Sequence, residues 1–143
     1  MAPKTVLAIG LDPSFADFSA MPQLTPELVR AYILAEIARA RALGFDVALL
    51  LITPGEKAES DVAEILRSKD FACVVIGAGL REPPEHLLLF EKIVNLVHRL
   101  APGASIAFNT TPADTAEAIL RRAMAGSEAG HDAGWAARRF TRM

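Results

Sequence analysis

The sequence predicts a single α/β domain with three layers, in which a parallel sheet lies between two layers of helices. Four short apolar runs alternate with segments whose apolar residues recur every three or four positions, which is typical of consecutive β-α units. The runs lack the polar alternation of a half-exposed strand, and the chain is 52% hydrophobic with a mean hydropathy of +0.28. Strands covered on both faces have this composition.

The four apolar runs are the predicted strands: Thr5–Leu11, Asp46–Ile52, residues 71–76 and Ser105–Phe108. A helix is predicted after each strand from apolar residues at helical spacing. The apolar positions of the four helices span residues 28–43, 58–66, 87–100 and 116–124.

Several residue pairs predict where the helices begin and end. Thr25-Pro26, Thr53-Pro54 and Thr111-Pro112 each place a hydroxyl that caps a helix before a proline suited to the first helical position. Pro83-Pro84 is suited to start the third helix in the same way. Gly44 is suited to the left-handed cap that ends the first helix.

Right-handed crossovers of this length between parallel strands predict the strand order 2-1-3-4, the order of flavodoxin-like and other Rossmann-like domains without a fifth strand. With this order the second and third helices cover one face of the sheet. The first helix would then be alone on the other face unless the fourth helix folds back beside it. We predict that the fourth helix does so, because strands this apolar need cover on both faces.

The third helix carries more apolar residues than contact with one sheet face requires. They cover more than half of its circumference: Leu87, Leu88, Leu89, Phe90, Ile93, Val94, Leu96, Val97 and Leu100. Two interpretations are open, a deeply buried helix or a self-association face, since monomers rarely expose so large an apolar stripe. We predict a homodimer.

Composition argues against several classes of partner and location. The net charge of −2 argues against nucleic acid. The longest apolar stretch, residues 47–52, is far shorter than a membrane span. The first residues lack the apolar region and cleavage site of a secretory signal. The single cysteine, Cys73, cannot form an internal disulfide, so we expect a cytoplasmic protein.

The domain is predicted to span residues 1–125, followed by a C-terminal tail over residues 126–143. The tail begins with Gly, Ser and Ala and contains Trp135 and Phe140. It is either flexible or docked through these two aromatic residues on the edge strand; we favour docking, because an exposed edge needs cover.

A ligand site is predicted at the carboxyl ends of the first and third strands, where the connections of an open α/β sheet diverge. Polar and Gly-containing loops converge there. We predict that a small anionic molecule binds to Asp12, Ser14, Gly77, Gly79, Arg81 and Thr110. In this hypothesis Arg81, beside a helix N-terminus, holds a phosphate or carboxylate.

Blander interpretations of the same residues are open. Gly77 and Gly79 are also what a tight turn requires, and Arg81 is also suited to an ion pair with Glu82 or Glu85. The loop over residues 12–24 is long for a β-α connection, and Phe15, Phe18 and Met21 in it are candidates for a lid.

No cofactor or metal is predicted. The dinucleotide pattern requires a third glycine at position 82, which is Glu82, and it belongs after the first strand, where Gly10-Leu-Asp12-Pro stands instead. No set of His, Cys, Asp and Glu has the spacing of metal ligands. Cys73 lies in the middle of a strand, as a small inert apolar residue does.

The order of elements, with Asp12 ending the first strand and Thr110 ending the fourth, resembles a receiver domain of response regulators. That resemblance implies the fold. It does not imply phosphoacceptor chemistry, since receiver domains carry the phosphorylated aspartate at the end of the third strand, where this chain has Gly77.

Residues 5–14 and 71–112 resemble SGNH-type (GDSL) hydrolases. Gly10-Leu-Asp12-Pro-Ser14 is similar to their Gly-Asp-Ser, and the strand ending in Gly77-Ala-Gly79 is similar to their third strand. Where that family has Gly-x-Asn-Asp, this chain has Gly79-Leu80-Arg81-Glu82. The resemblance implies a shared scaffold.

Three functions are therefore open. We favour a binding or signalling module for a small anionic ligand, and not an enzyme. A small hydrolase or transferase is the alternative, with Ser14 as nucleophile and His86, in the first turn of the third helix, as base. The last is a structural partner-binding protein that uses the third helix and the tail.

Overall fold

The computed structural model describes residues 4–123. Its strands are β1 (Thr5–Leu11), β2 (Asp46–Ile52), β3 (Cys73–Ile76) and β4 (Ser105–Phe108), and its helices are α1 (Pro26–Ala42), α2 (Lys57–Ser68), α3 (Ala78–Arg81), α4 (Leu87–Leu100) and α5 (Thr115–Ala123). All paired strands are parallel and follow the order β2-β1-β3-β4. The predicted fold class and strand order are confirmed. The predicted tail, with Trp135 and Phe140, lies outside the described residues.

Three of the four strands have their predicted bounds, and β3 begins two residues later than predicted, at Cys73. The apolar residue Phe71 precedes the strand but is buried, so its hydrophobicity reflects core packing from a loop. Within residues 4–123, no helix is long and apolar enough to cross a bilayer.

The helices form one layer on each face of the sheet, as predicted. Side chains of α1 and α5 pack on the face that carries Val6, Ala8 and Val75. Side chains of α2 and α4 pack on the face that carries Leu7 and Val74. The predicted return of the fourth helix, α5, to the side of α1 is therefore confirmed.

One of the three predicted Thr-Pro caps is confirmed. The hydroxyl of Thr25 accepts a hydrogen bond from the Leu28 N–H at 3.1 Å. Gly44 ends α1 with a φ of 101°, as a left-handed cap does.

The predicted caps at Thr53 and Thr111 are wrong. Helix α2 begins only at Lys57, and no side chain in the described part of the chain caps it. Helix α5 begins at Thr115, four residues after Thr111. Its N-terminus is held by a carboxylate from α1, since Glu36 Oε1 accepts from the Ala116 N–H at 3.0 Å. The local pattern could not show a partner that lies 80 residues away.

The segment after β3 also differs from prediction. A helix start was expected at the proline pair, but Ala78–Arg81 already forms the one-turn helix α3, and Pro84–His86 forms a 3₁₀ turn before α4 begins at Leu87. The His86 N–H bonds to the Pro83 carbonyl oxygen at 3.0 Å. His86 thus precedes α4 instead of lying in its first turn.

Helix α4 is not deeply buried. Ile93 and Val97 are buried against the sheet, whereas Leu87 and Leu88 are 58% and 69% exposed. Of the two interpretations of its wide apolar stripe, deep burial is therefore wrong. Self-association through this helix, and with it the homodimer, stays a prediction.

Candidate functional site

A cavity of about 520 Å³ lies between α1 and the sheet at the carboxyl ends of β1 and β3. Ile33 and Ile37 of α1 line it from above, and Ala8 and Val75 of the central strands line it from below. The predicted site was placed at this edge of the sheet, where the strand order reverses.

The cavity exists because the central strands carry small residues on this face. Ala8 of β1 pairs with Leu49 of β2 and Val75 of β3, and alternation along the strand places Gly10 on the same face. Gly77 follows β3 and extends its pairing, since its N–H bonds to the Ile9 carbonyl oxygen at 2.9 Å. Ala8, Gly10 and Gly77 all line the cavity, and the volume that larger side chains would fill is left open.

The glycines of the cavity are not required by backbone conformation. Among the described residues, positive φ occurs only at Gly44 and Gly55. A Cβ at Gly79 would lie 3.6 Å from the Leu11 Cβ, an ordinary contact, and a Cβ at Gly10 would lie 3.3 Å from the movable Leu51 Cδ2. What these glycines supply is therefore space.

Asn109 organises the polar edge of the cavity. It follows β4 and is buried. Its Oδ1 accepts from the Ala78 N–H of α3 at 2.8 Å, and its Nδ2 donates to the Thr115 Oγ1 of α5 at 3.0 Å. Asn109 was not among the predicted site residues, although an asparagine directly after a buried strand, at the carboxyl edge of the sheet, is a signal for such a role.

The predicted site residue Thr110 lines the cavity beside Asn109. Its N–H donates to the Asp114 carboxylate at 2.9 Å, and the Thr111 N–H donates to the same group at 3.1 Å. Burial alone would raise the pKa of the Asp114 carboxyl, but the hydrogen bonds from Thr110 and Thr111 outweigh it and leave the pKa below its ordinary value. Asp114 therefore fixes this loop as an anion.

The mouth of the cavity is formed by the long loop after β1 and by the segment around α3. Phe18 and Met21, two of the three predicted lid residues, line the cavity; the third, Phe15, is not among the lining residues. Four titratable residues line the cavity: Asp17, Glu82, Glu85 and His86. The predicted site residues Gly77 and Gly79 also line it.

Arg81 does not line the cavity. Its guanidinium donates to the Asn109 carbonyl oxygen and lies 5.3 Å from the centre of the Phe108 ring. It also lies 3.8 Å from the Glu82 carboxylate. This is the ion pair that the sequence offered as the alternative to ligand binding by Arg81. The structure thus uses Arg81 to join α3 to the end of β4.

Asp12 and Ser14 also lie outside the cavity lining. The Asp12 carboxylate accepts from the Ser14 N–H at 3.0 Å and from Arg30 Nη2 of α1 at 2.7 Å. The hydrogen bond from the Ser14 N–H is the main cause that lowers the pKa of Asp12, with Arg30 adding to it. Asp12 therefore anchors α1 to the end of β1, a partnership with Arg30 that the sequence pattern did not reveal.

The structure does not place Ser14 and His86 on a common wall. His86 lines the cavity, and Ser14 is an exposed residue outside the lining. His86 also borders a second cavity, of about 400 Å³, between the starts of α2 and α4. Burial raises the pKa of the Cys73 thiol to about 11, so Cys73 is uncharged at neutral pH.

Fold and site together define a doubly wound α/β domain of flavodoxin-like strand order with a cavity at its switch point. No protein-family model matches the sequence, and no curated protein is significantly similar to it.

Proposed function

We propose that the domain binds a small molecule in the cavity under α1 and acts as a binding or signalling module, not as a catalyst. The observation that carries the proposal is the cavity itself, with about 520 Å³. Ligand sites have volumes of roughly 300–1,000 Å³, whereas packed interiors leave few voids larger than a water molecule.

The walls of this cavity are held in place before any ligand arrives. The start of α1 is tied to β1 by the ion pair of Arg30 and Asp12. Further along α1, Glu36 holds the N-terminus of α5. A wall fixed in this way reduces the conformational entropy lost on binding, which favours affinity.

The chemistry of the walls favours binding over covalent catalysis. Among the described lining residues none is Ser, Cys or Lys, three of the side chains that serve as nucleophiles in covalent catalysis. The cysteine of the domain, Cys73, lies in the sheet and carries an uncharged thiol.

The test is a fragment screen by ligand-observed NMR on the full chain, followed by protein-observed amide spectra with the fragments that bind, on the wild type and on the variant Ala8→Ile. Ala8 is buried and lines the cavity, so the larger side chain fills the space. We expect fragments that bind the wild type and shift the amide signals of Gly77 and Gly79. Ala8→Ile should abolish their binding.

The matched control is Ala35→Ile, which adds the same side chain at an exposed position of α1. Fragment affinity should be unchanged in this variant. Fragments that bind Ala8→Ile as well as the wild type, or a screen without any binder, would contradict a ligand site in the cavity.

A further inference from the structure

We infer that the ligand of this cavity is a mainly apolar molecule whose outer end is uncharged or cationic, and that anions are disfavoured. The inference rests on the proposed function, because it specifies the ligand of the same site. It differs from the anionic ligand that the sequence predicted.

The inner part of the cavity offers only apolar surface. Ile33, Ile37, Leu49, Val75 and Ala8 meet there from α1 and the three strands nearest to it. Both ends of the Asn109 amide, which lies beside them, already have partners. Burying an unpaired polar or charged ligand group against such a wall is costly.

The mouth has the opposite character and carries negative charge. Asp17, Glu82 and Glu85 line it together with one histidine, His86, and no described lining residue is Lys or Arg. Asp17 accepts from the Ser19 N–H, a bond that stabilises its ionised form. The charge of Glu82 is partly balanced by the Arg81 guanidinium, 3.8 Å from its carboxylate. Asp17 and Glu85 are therefore the main source of negative potential at the mouth.

The guanidinium groups near this edge of the sheet have other partners, and the one buried side-chain nitrogen without a partner among the described residues, Nε of Arg81, belongs to a residue outside the cavity lining. Arg30 binds Asp12 and Arg81 binds the Asn109 carbonyl oxygen. Arg121 donates to the Phe108 carbonyl oxygen at 2.8 Å. The Ala78 N–H at the start of α3, one donor that an anion could use, is bonded to Asn109. An anion in the cavity would therefore meet carboxylates without a compensating cation from these residues.

The experiment compares n-octylamine, n-octanol and octanoate, which share one alkyl chain and differ in the charge of the head group. Isothermal titration calorimetry on the full chain at neutral pH measures each affinity. We expect the amine and the alcohol to bind, and octanoate to bind roughly fivefold to tenfold more weakly than the amine, as exposed carboxylates of this number would produce.

The outcomes separate the inference from the proposed function. Octanoate binding most tightly, with its binding lost in Ala8→Ile, would overturn the inference and leave the cavity as a ligand site. Failure of all three probes to bind would count against both.

The double variant Asp17→Asn, Glu85→Gln tests the mouth directly. It should remove most of the preference for the amine over octanoate while leaving the affinity for octanol unchanged. The control Glu64→Gln, Asp70→Asn removes the same charge from exposed positions outside the cavity lining and should keep the preference. An unchanged preference in the first double variant would contradict a role for these carboxylates.

Discussion

The two faces of the sheet are built from alternate residues of the same strands, yet they serve different purposes. On the face covered by α2 and α4, large residues such as Leu7, Val74 and Ile76 are fully buried. On the face covered by α1 and α5, Ala8, Gly10 and Gly77 leave a cavity of about 520 Å³. Both faces carry a buried apolar core, but the face under α1 gives up packing volume at the carboxyl ends of the strands for a site.

This difference shows how a domain of this size holds a cavity at all. Because side chains alternate along a strand, residue size is set independently on the two faces. The filled face supplies buried apolar area, which is the main stabilising term. The open face, under α1 and α5, replaces part of that packing with side-chain hydrogen bonds. They are made by Asn109, Glu36 and Asp12.

The sharpest test of this comparison uses two adjacent valines of β3. Val74 faces the filled side and Val75 lines the cavity, and both are buried. Val74→Ala should lower the free energy of unfolding by about 3 kcal/mol, and Val75→Ala by about 1 kcal/mol, because atoms beside a void have already lost neighbours. Urea unfolding followed by circular dichroism measures both values.

The two variants serve as each other's control, since they delete the same atoms from neighbouring positions of one strand. Equal losses, or a larger loss for Val75→Ala, would mean that the cavity face is packed as tightly as the other face. The comparison between the two faces would then be wrong.

The next effect concerns the polar edge that replaces packing on the open face. Asn109→Ala removes the acceptor of the Ala78 N–H and the donor to Thr115. We expect the free energy of unfolding to fall by about 2 kcal/mol, because partners left without a hydrogen bond in the interior are costly. Thermal or urea unfolding of the variant measures this.

Asn95→Ala is the matched control for Asn109→Ala. Asn95 is exposed on α4, and among the described residues its side chain bonds only to the Glu91 carbonyl oxygen of its own helix. Its loss should change stability by less than about 0.5 kcal/mol. A similar small effect for Asn109→Ala would show that the edge of the open face does not depend on this side chain.

Much of the fold could be predicted from the sequence, because the signals involved are local. The bounds of β1, β2 and β4 follow from continuous apolar runs, and the α1 cap at Thr25 follows from its own next three residues. The strand order and the return of α5 follow from general rules of connection and from the need to cover apolar strands.

The site was less predictable, because its features depend on residues far apart in the chain. Arg81 turns to the carbonyl oxygen of Asn109, 28 positions away, and α5 is held by Glu36, 80 positions away. The cavity itself appears only when the register places Ala8 beside Val75. A single alanine or glycine in an apolar run does not show whether the neighbouring elements fill the volume beside it.

The smallest expected effect is a difference between the faces in acid. The pKa of Asp114, at the edge of the open face, lies below its ordinary value of 3.8. Its contribution to stability is therefore fully present above the unfolded pKa and is lost as the pH falls through the lower folded pKa. Between pH 3.8 and the folded pKa, amides of α5 should lose protection from hydrogen exchange before those of α4.

Asp114→Asn tests the origin of this acid sensitivity, because asparagine keeps an acceptor for Thr110 and Thr111 but does not titrate. At neutral pH the variant should be less stable than the wild type by less than about 1 kcal/mol. The difference should shrink as the pH falls. Asp70→Asn, at an exposed position outside the open face, should leave the profile unchanged. If α5 and α4 lost protection at the same pH in both the wild type and the variant, the two faces would respond to acid as one unit. The Asp114 carboxylate would then make no separate contribution to the stability of the face under α1.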